Sequence, residues 1–119
     1  MAAVSTTIIA TGLDHTGVIL DDGTVKLWGR AYLGALGNGD SSDTKVGDHS
    51  SEEPDELTAL GPSLFGSGRT VVSIACGAYF SGVVLENGEV WMTGAGNGGK
   101  TGRGGTGNRN TLAAVSKIS

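Results

Sequence analysis

A stretch of this chain occurs twice, and that repeat constrains the fold more than any other feature. Ile9 to Gly29 (IATGLDHTGVILDDGTVKLWG) and Ile74 to Gly94 (IACGAYFSGVVLENGEVWMTG) align at a constant offset of 65 residues. Ile9/Ile74, Ala10/Ala75, Gly12/Gly77, Gly17/Gly82, Val18/Val83, Leu20/Leu85, Gly23/Gly88, Val25/Val90 and Gly29/Gly94 stay in step. Self-similarity at a fixed period marks a repeat architecture, in which a unit too small to bury its own apolar face stacks on its neighbour. Each copy reads as a short apolar strand, a Gly-containing turn, a second strand, then Asp22-Gly23 or Asn87-Gly88, then a third strand. Asp-Gly and Asn-Gly supply the positive φ of a two-residue type I′ hairpin, so strands two and three are expected to be antiparallel neighbours. Val18-Ile19-Leu20 and Val83-Val84-Leu85 are apolar at consecutive positions. Successive side chains alternate across a strand, so these runs place apolar groups on both faces of the sheet.

These residues resemble the RCC1 repeat, the blade unit of the propellers named after the regulator of chromosome condensation. Its pattern runs I-A-C-G, H-T, an apolar strand, an acidic-Gly turn, V-x-x-W-G and G-Q-L-G. Ile74-Ala75-Cys76-Gly77 carries the opening, His15-Thr16 the His-Thr step and Val25 to Gly29 the Trp-Gly strand. The second copy departs from it, with Tyr79-Phe80-Ser81 in place of His-Thr and Thr93 in place of Trp. The resemblance implies an all-β fold of two antiparallel blades, a partial β-propeller with long Gly-rich and acidic loops. Residues 1–60 form the first blade, including an acidic loop at 40–54; residues 61–70 connect, and residues 71–119 form the second blade. Val4 to Ala10 is the expected first strand, Leu57 to Leu60 the outer strand of the first blade, and Leu112 to Ile118 its counterpart one repeat later. Leu64 and Phe65 are expected to anchor the connector. Gly12, Gly23, Gly29, Gly77, Gly88 and Gly94 are the expected structural turns. His15 is read as a structural side chain bonded to turn backbone.

Composition narrows the classes. Twenty-two glycines in 119 residues, with 5% aromatic residues, fit many turns and short strands rather than helices. A net charge of −4 argues against nonspecific phosphate-backbone binding, which needs a basic face, so no nucleic-acid partner is expected. Cys76 is the single cysteine, which rules out an intrachain disulfide and a metal site of several cysteines. It sits in an apolar strand and reads as a buried, inert thiol. No apolar run approaches the roughly 18 residues of a transmembrane helix. MAAVSTTIIATGL lacks the basic start of a secretory signal and the arginines of a transit peptide, so an intracellular location is expected over secretion, with the compartment open.

Gly94-Ala95-Gly96-Asn97-Gly98-Gly99-Lys100-Thr101 satisfies the phosphate-loop string G-x-x-x-x-G-K-T. Such a loop works through backbone N–H groups and the first turn of a following helix. Here Gly102-Arg103-Gly104-Gly105-Thr106-Gly107 follows, and each helical glycine costs about 1 kcal/mol relative to alanine. The repeat explains the string without nucleotide, because Gly99 to Gly102 fall where the first copy has Gly34-Ala35-Leu36-Gly37. No G-x-S-x-G elbow supports a serine nucleophile. Asp21-Asp22 and Asp40-x-x-Asp43 lack the ligand ladder of a calcium loop. No cofactor, metal or catalytic residue is therefore assigned, and the chain is expected not to be an enzyme. Two charged groups remain as possible partner contacts: Asp48, Glu52 and Glu53 in the acidic loop, and the small basic patch of Lys100, Arg103 and Arg109.

The resemblance implies rings of about seven blades, which hide strand edges by closure. Two blades leave two apolar outer faces, and exposed patches of that kind mark interaction surfaces. The expected function is a non-catalytic interaction or structural subunit whose outer faces are covered by other proteins in a larger assembly, with self-association as a further route. Association with a membrane complex stays open. The alternative is a fragment or relative of a guanine-nucleotide exchange regulator of a small GTPase. An enzyme using the Gly94 to Thr101 loop ranks last.

Overall fold

A computed structural model of the chain describes residues 8–39, 41–48, 53, 57, 59–61, 64–66 and 69–115. The chain forms two four-stranded antiparallel sheets in simple meander order. The first contains β1 (Ile8–Thr11), β2 (His15–Ile19), β3 (Val25–Arg30) and β4 (Lys45–Val46); the second contains β5 (Val71–Cys76), β6 (Phe80–Leu85), β7 (Val90–Gly94) and β8 (Arg109–Ala114). The repeat alignment carries directly into pairing, since Val18↔Lys26 on Ile19↔Val25 is matched by Val83↔Trp91 on Val84↔Val90. Of the expected first strand, Ile8 to Ala10 lie in β1, and Val4 to Thr7 fall outside the described residues.

The hairpin turns differ from the expected type I′ form. Among the described residues only Gly23 and Gly88 of the two turns take positive φ, at 81° and 89°; Asp22 and Asn87 do not. The N–H of Gly23 donates to the Leu20 carbonyl and that of Leu20 to the Thr24 carbonyl, and Gly88, Leu85 and Glu89 repeat both bonds. That is a three-residue loop with a left-handed glycine closing it. The reason lies in the side chains before the glycines. Asp22 Oδ1 accepts the Thr24 N–H and Asn87 Oδ1 accepts the Glu89 N–H, both at 3.1 Å, which holds these residues in the right-handed turn.

The fourth strand of the first blade also corrects the expectation. It begins inside the acidic loop: β4 pairs Lys45 with Arg30 and Val46 with Gly29. Arg30 fixes this start by gripping Asp43, with Nη2–Oδ2 at 3.1 Å, and stacks its guanidinium 4.7 Å from the Tyr32 ring centre. Of the expected Leu57 to Leu60 strand, the described part contributes a single bridge, in which Leu60 and Val25 exchange both backbone hydrogen bonds. The edge of β3 is thus covered by two pieces, β4 at Gly29 and Arg30 and Leu60 at Val25. In the second blade one strand, β8, supplies the cover, its register shifting between Met92 and Gly94, and the Val115 N–H donates to the Val90 carbonyl where Leu60 meets Val25. That strand starts at Arg109, before the expected Leu112, and residues 116–118 lie outside the described residues.

The core lies between the sheets, where Val25, Leu36, Phe65, Val83, Leu85 and Leu112 are each at most 2% exposed. Phe65 alone of the connector pair anchors it, edge-on to Trp91 with ring centres 5.2 Å apart, whereas Leu64 is 37% exposed. Arg69 and Trp91 Nε1 both donate to Glu89 Oε1, which ties the end of the connector to β7.

Burial along the repeated strands reverses between copies. In β2, His15, Gly17 and Ile19 are buried while Thr16 and Val18 are half-exposed. In β6 the counterparts of the buried set, Phe80, Gly82 and Val84, are half-exposed, and Ser81, Val83 and Leu85 are buried. Each blade therefore presses one face on the other and leaves the opposite face open.

Candidate interaction surfaces

The joint between the blades shows what a covered face looks like. Ile74 of β5 sits over Gly17, where a Cβ would lie 2.7 Å from Ile74 Cδ1 and 2.8 Å from Leu27 Cδ2. The absence of a side chain at Gly17 makes the seat, and Ile74 fills it to 8% exposure. A polar relay crosses the same joint. Ser81 Oγ donates to the Ala35 carbonyl at 2.7 Å, and His15 Nε2 lies 2.8 Å from that hydroxyl. A hydroxyl has one proton. With it given to Ala35, the ring must donate through Nε2–H. The loop after β3, which contains a single 3-10 turn at Tyr32–Gly34, then reaches across to the second blade. Thr93 Oγ1 shares its proton between the Gly34 carbonyl at 2.8 Å and the Arg109 carbonyl at 2.9 Å. Gly39 N–H donates to the Asn110 carbonyl, and Asn110 Nδ2 donates back to Gly39 at 2.9 Å, so this loop extends the edge of β8.

The His15 ring thus bonds across the blades to the Ser81 hydroxyl, where the sequence suggested turn backbone as its partner. Burial lowers its pKa below the ordinary 6.5, against the upward pulls of the Phe80 carbonyl and Asp14. The folded state holds the neutral ring while the unfolded chain takes up a proton near pH 6.5, so the unfolded state binds more protons below that pH. Stability is therefore complete above pH 6.5 and declines as pH falls toward the lower folded-state pKa, by at most about 1.4 kcal/mol per unit from this group. Urea titrations between pH 7 and 5 are expected to show this slope, and a His15→Phe variant, which copies the second blade, is expected to lose it.

The two remaining faces are open. On the first blade, which we term the head, Ile9 occupies the position of Ile74 yet is 62% exposed. Val18 and Leu20 flank it half-exposed, with Lys26 where the second blade has Trp91. On the second blade, the tail, a groove of about 350 Å³ is lined by Ala75, Phe80, Gly82, Val84, Val90 and Met92 among others. Gly82 and Met92 are the counterparts of Gly17 and Leu27, and among the described residues no side chain takes the place over Gly82 that Ile74 takes over Gly17. Cys76 also lines this groove. Its thiol is half-buried, with Sγ 3.9 Å from the Ala10 carbonyl, and burial pushes its pKa up.

The residues singled out from sequence fall at separate places. Gly12 and Gly77 serve close approach, since a Cβ there would lie 2.4 Å from the His15 ring and 2.1 Å from the Phe80 ring. At Gly29 and Gly94 it would lie 2.4 Å from the carbonyls of Asp14 and Tyr79. Asp48 lines a second, more polar cleft on the head with Asp14, Trp28, Arg30 and Lys45. Glu53 is exposed, and Glu52 lies outside the described residues. Lys100 projects on the tail, its Nζ 4.9 Å over the Phe80 ring. Arg103 is turned onto main chain, donating to the Met92 and Thr111 carbonyls at 3.2 and 2.6 Å, and Arg109 Nη2 donates to the Arg103 carbonyl. The phosphate-loop string forms one 3-10 turn at Asn97–Gly99, with the N–H groups of Gly99 and Gly102 donating to the Gly96 and Gly99 carbonyls. No α-helix follows; β8 does. Among the described residues no three His, Cys, Asp or Glu side chains converge as metal ligands, and no helix is long and apolar enough to cross a membrane. Sequence reasoning overlooked Ser81, Ile9 and the Gly82 groove, although the offset pairs Ile9/Ile74 and Gly17/Gly82 carried the signal.

The family model described as the regulator of chromosome condensation (RCC1) repeat matches residues 22–84, and a second RCC1-repeat model matches residues 71–99. The chain belongs to the RCC1-repeat family. Its two sheets are RCC1-type propeller blades. The chain is 33% identical over 112 residues to the human E3 ubiquitin-protein ligase HERC2, covering 92% of this chain and 2% of that protein. It is 34% identical over 98 residues to the ultraviolet-B receptor UVR8 of Arabidopsis thaliana, covering 82% of this chain and 19% of the receptor. Among solved structures it is similar to human WBSCR16, with a TM-score of 0.70 and 21% identity over 98% of this chain and 28% of that one. Prp20p of Saccharomyces cerevisiae, described with its binding to Gsp1p and histones, gives 0.69 and 20% identity over 99% of this chain and 27% of Prp20p. These RCC1 chains share the blade fold, and this chain spans a small part of each relative's length.

Proposed function

We propose that this chain is a non-catalytic protein-interaction or structural module whose two open blade faces are covered by protein in a larger assembly. The observation that carries this reading is the reversed burial of β2 and β6, which leaves each blade with one apolar face packed and one open. Ile9 at 62% exposure and the Gly82–Met92 groove mark those faces. Yeast RCC1, similar in fold, has been solved bound to Kap60, which supports a protein-binding use of such blades. The exchange-regulator alternative draws on fold likeness to Prp20p at 20% identity, and nothing observed on this chain favours it.

Chemical cross-linking of the native protein with mass-spectrometric mapping tests the proposal. Cross-links from Lys26, Lys45 or Lys100 to another polypeptide copy or species are expected. A native mass of one 11.9 kDa chain with intrachain cross-links only would overturn it.

A further inference from the structure

We infer that the two open faces fit one another, so that the head of one copy docks on the tail of a second copy of this chain. This rests on the interaction-module reading and names its partner. The joint inside the chain supplies the template. There the tail side of the first blade offers Gly17 and Leu27, and the head side of the second blade offers Ile74. The outer tail offers Gly82 and Met92, and the outer head offers Ile9, each the repeat counterpart of a residue already in contact. At Gly82 a Cβ would meet Met92 Sδ at 2.4 Å, so this side-chain-free seat has the same construction as Gly17, where Leu27 is the own-blade neighbour.

The polar layer extends the match. Ser81 reaches the Ala35 carbonyl across the internal joint at 2.7 Å. Its counterpart Thr16 is half-exposed on the head, and Lys100, the counterpart of Ala35, lies in the tail loop. Such a contact joins different surfaces, so it repeats from copy to copy and closes only if the rotation returns on itself. Three copies give six blades and four give eight, within the range of about four to eight found in closed propellers.

Light scattering on the purified full chain across a dilution series tests this. A mass that rises with concentration to three or four copies is expected. Ile9→Asp, at an exposed head position, and Ala75→Arg, at the exposed mouth of the tail groove, are each expected to weaken association about 10- to 100-fold, with an unchanged circular dichroism spectrum. Mixed together they are expected to stop at a 1:1 dimer, because one intact head and one intact tail remain. A wild-type chain that stays at 11.9 kDa at every concentration, or an Ile9→Asp chain that assembles like wild type, overturns the head-to-tail pairing. If native cross-links to other polypeptides persist in that case, the interaction-module reading stands without it; if none exist, both fall.

Discussion

Truncating Ile74 to alanine is expected to cost about 2–5 kcal/mol of stability, while the same change at its repeat counterpart Ile9 stays within about 0.5 kcal/mol in dilute solution. The two residues share sequence context and strand position. They differ in what stands opposite: Ile74 is 8% exposed over the Gly17 seat, and Ile9 is 62% exposed. Removing the Ile74 side chain empties the joint between two rigid sheets that cannot collapse onto the gap, so the lost transfer energy and a cavity cost add. Urea denaturation of both variants, read at a concentration low enough to hold the chain monomeric, checks the contrast. Equal destabilisation at both sites would mean that the head face is covered within the single chain.

Replacing Ser81 by alanine is expected to be the most damaging polar change, at about 1–3 kcal/mol for each group it strands. Two groups lose their partner at once, the His15 Nε2–H and the Ala35 carbonyl, and both lie in a joint where Ser81 itself is fully buried. Alanine returns no hydrogen bond and admits no water unless the joint loosens. Ser81→Thr, which restores the hydroxyl and matches Thr16 of the other copy, is expected to recover most of the loss. A Ser81→Ala chain as stable as wild type would show that the relay contributes nothing and that packing at Ile74 alone joins the blades.

The period, the strand positions and the double-sided apolar runs were legible without coordinates, because alternation along a strand and turn chemistry are local properties. The Asp-Gly and Asn-Gly steps correctly marked the turns but not their form. That depended on Asp22 and Asn87 each taking the N–H two residues on, a side-chain choice that the dipeptide does not dictate. β4 escaped notice because a two-residue edge strand is made by backbone alone, and the pull that sets its register comes from Arg30 on Asp43, thirteen residues away.

Which face each blade buries was beyond any reading of the repeat, since both copies carry the same apolar runs on both faces. Tertiary packing broke that equivalence. Once β5 lies across β1 and β2, the Gly17 seat is filled and the Gly82 seat is not, and Ile74 is covered while Ile9 is not. Sequence repetition thus specified two interchangeable units with a socket and a knob apiece. Joining them consumed one socket and one knob, and the physical arrangement of a single joint left the other pair facing outward.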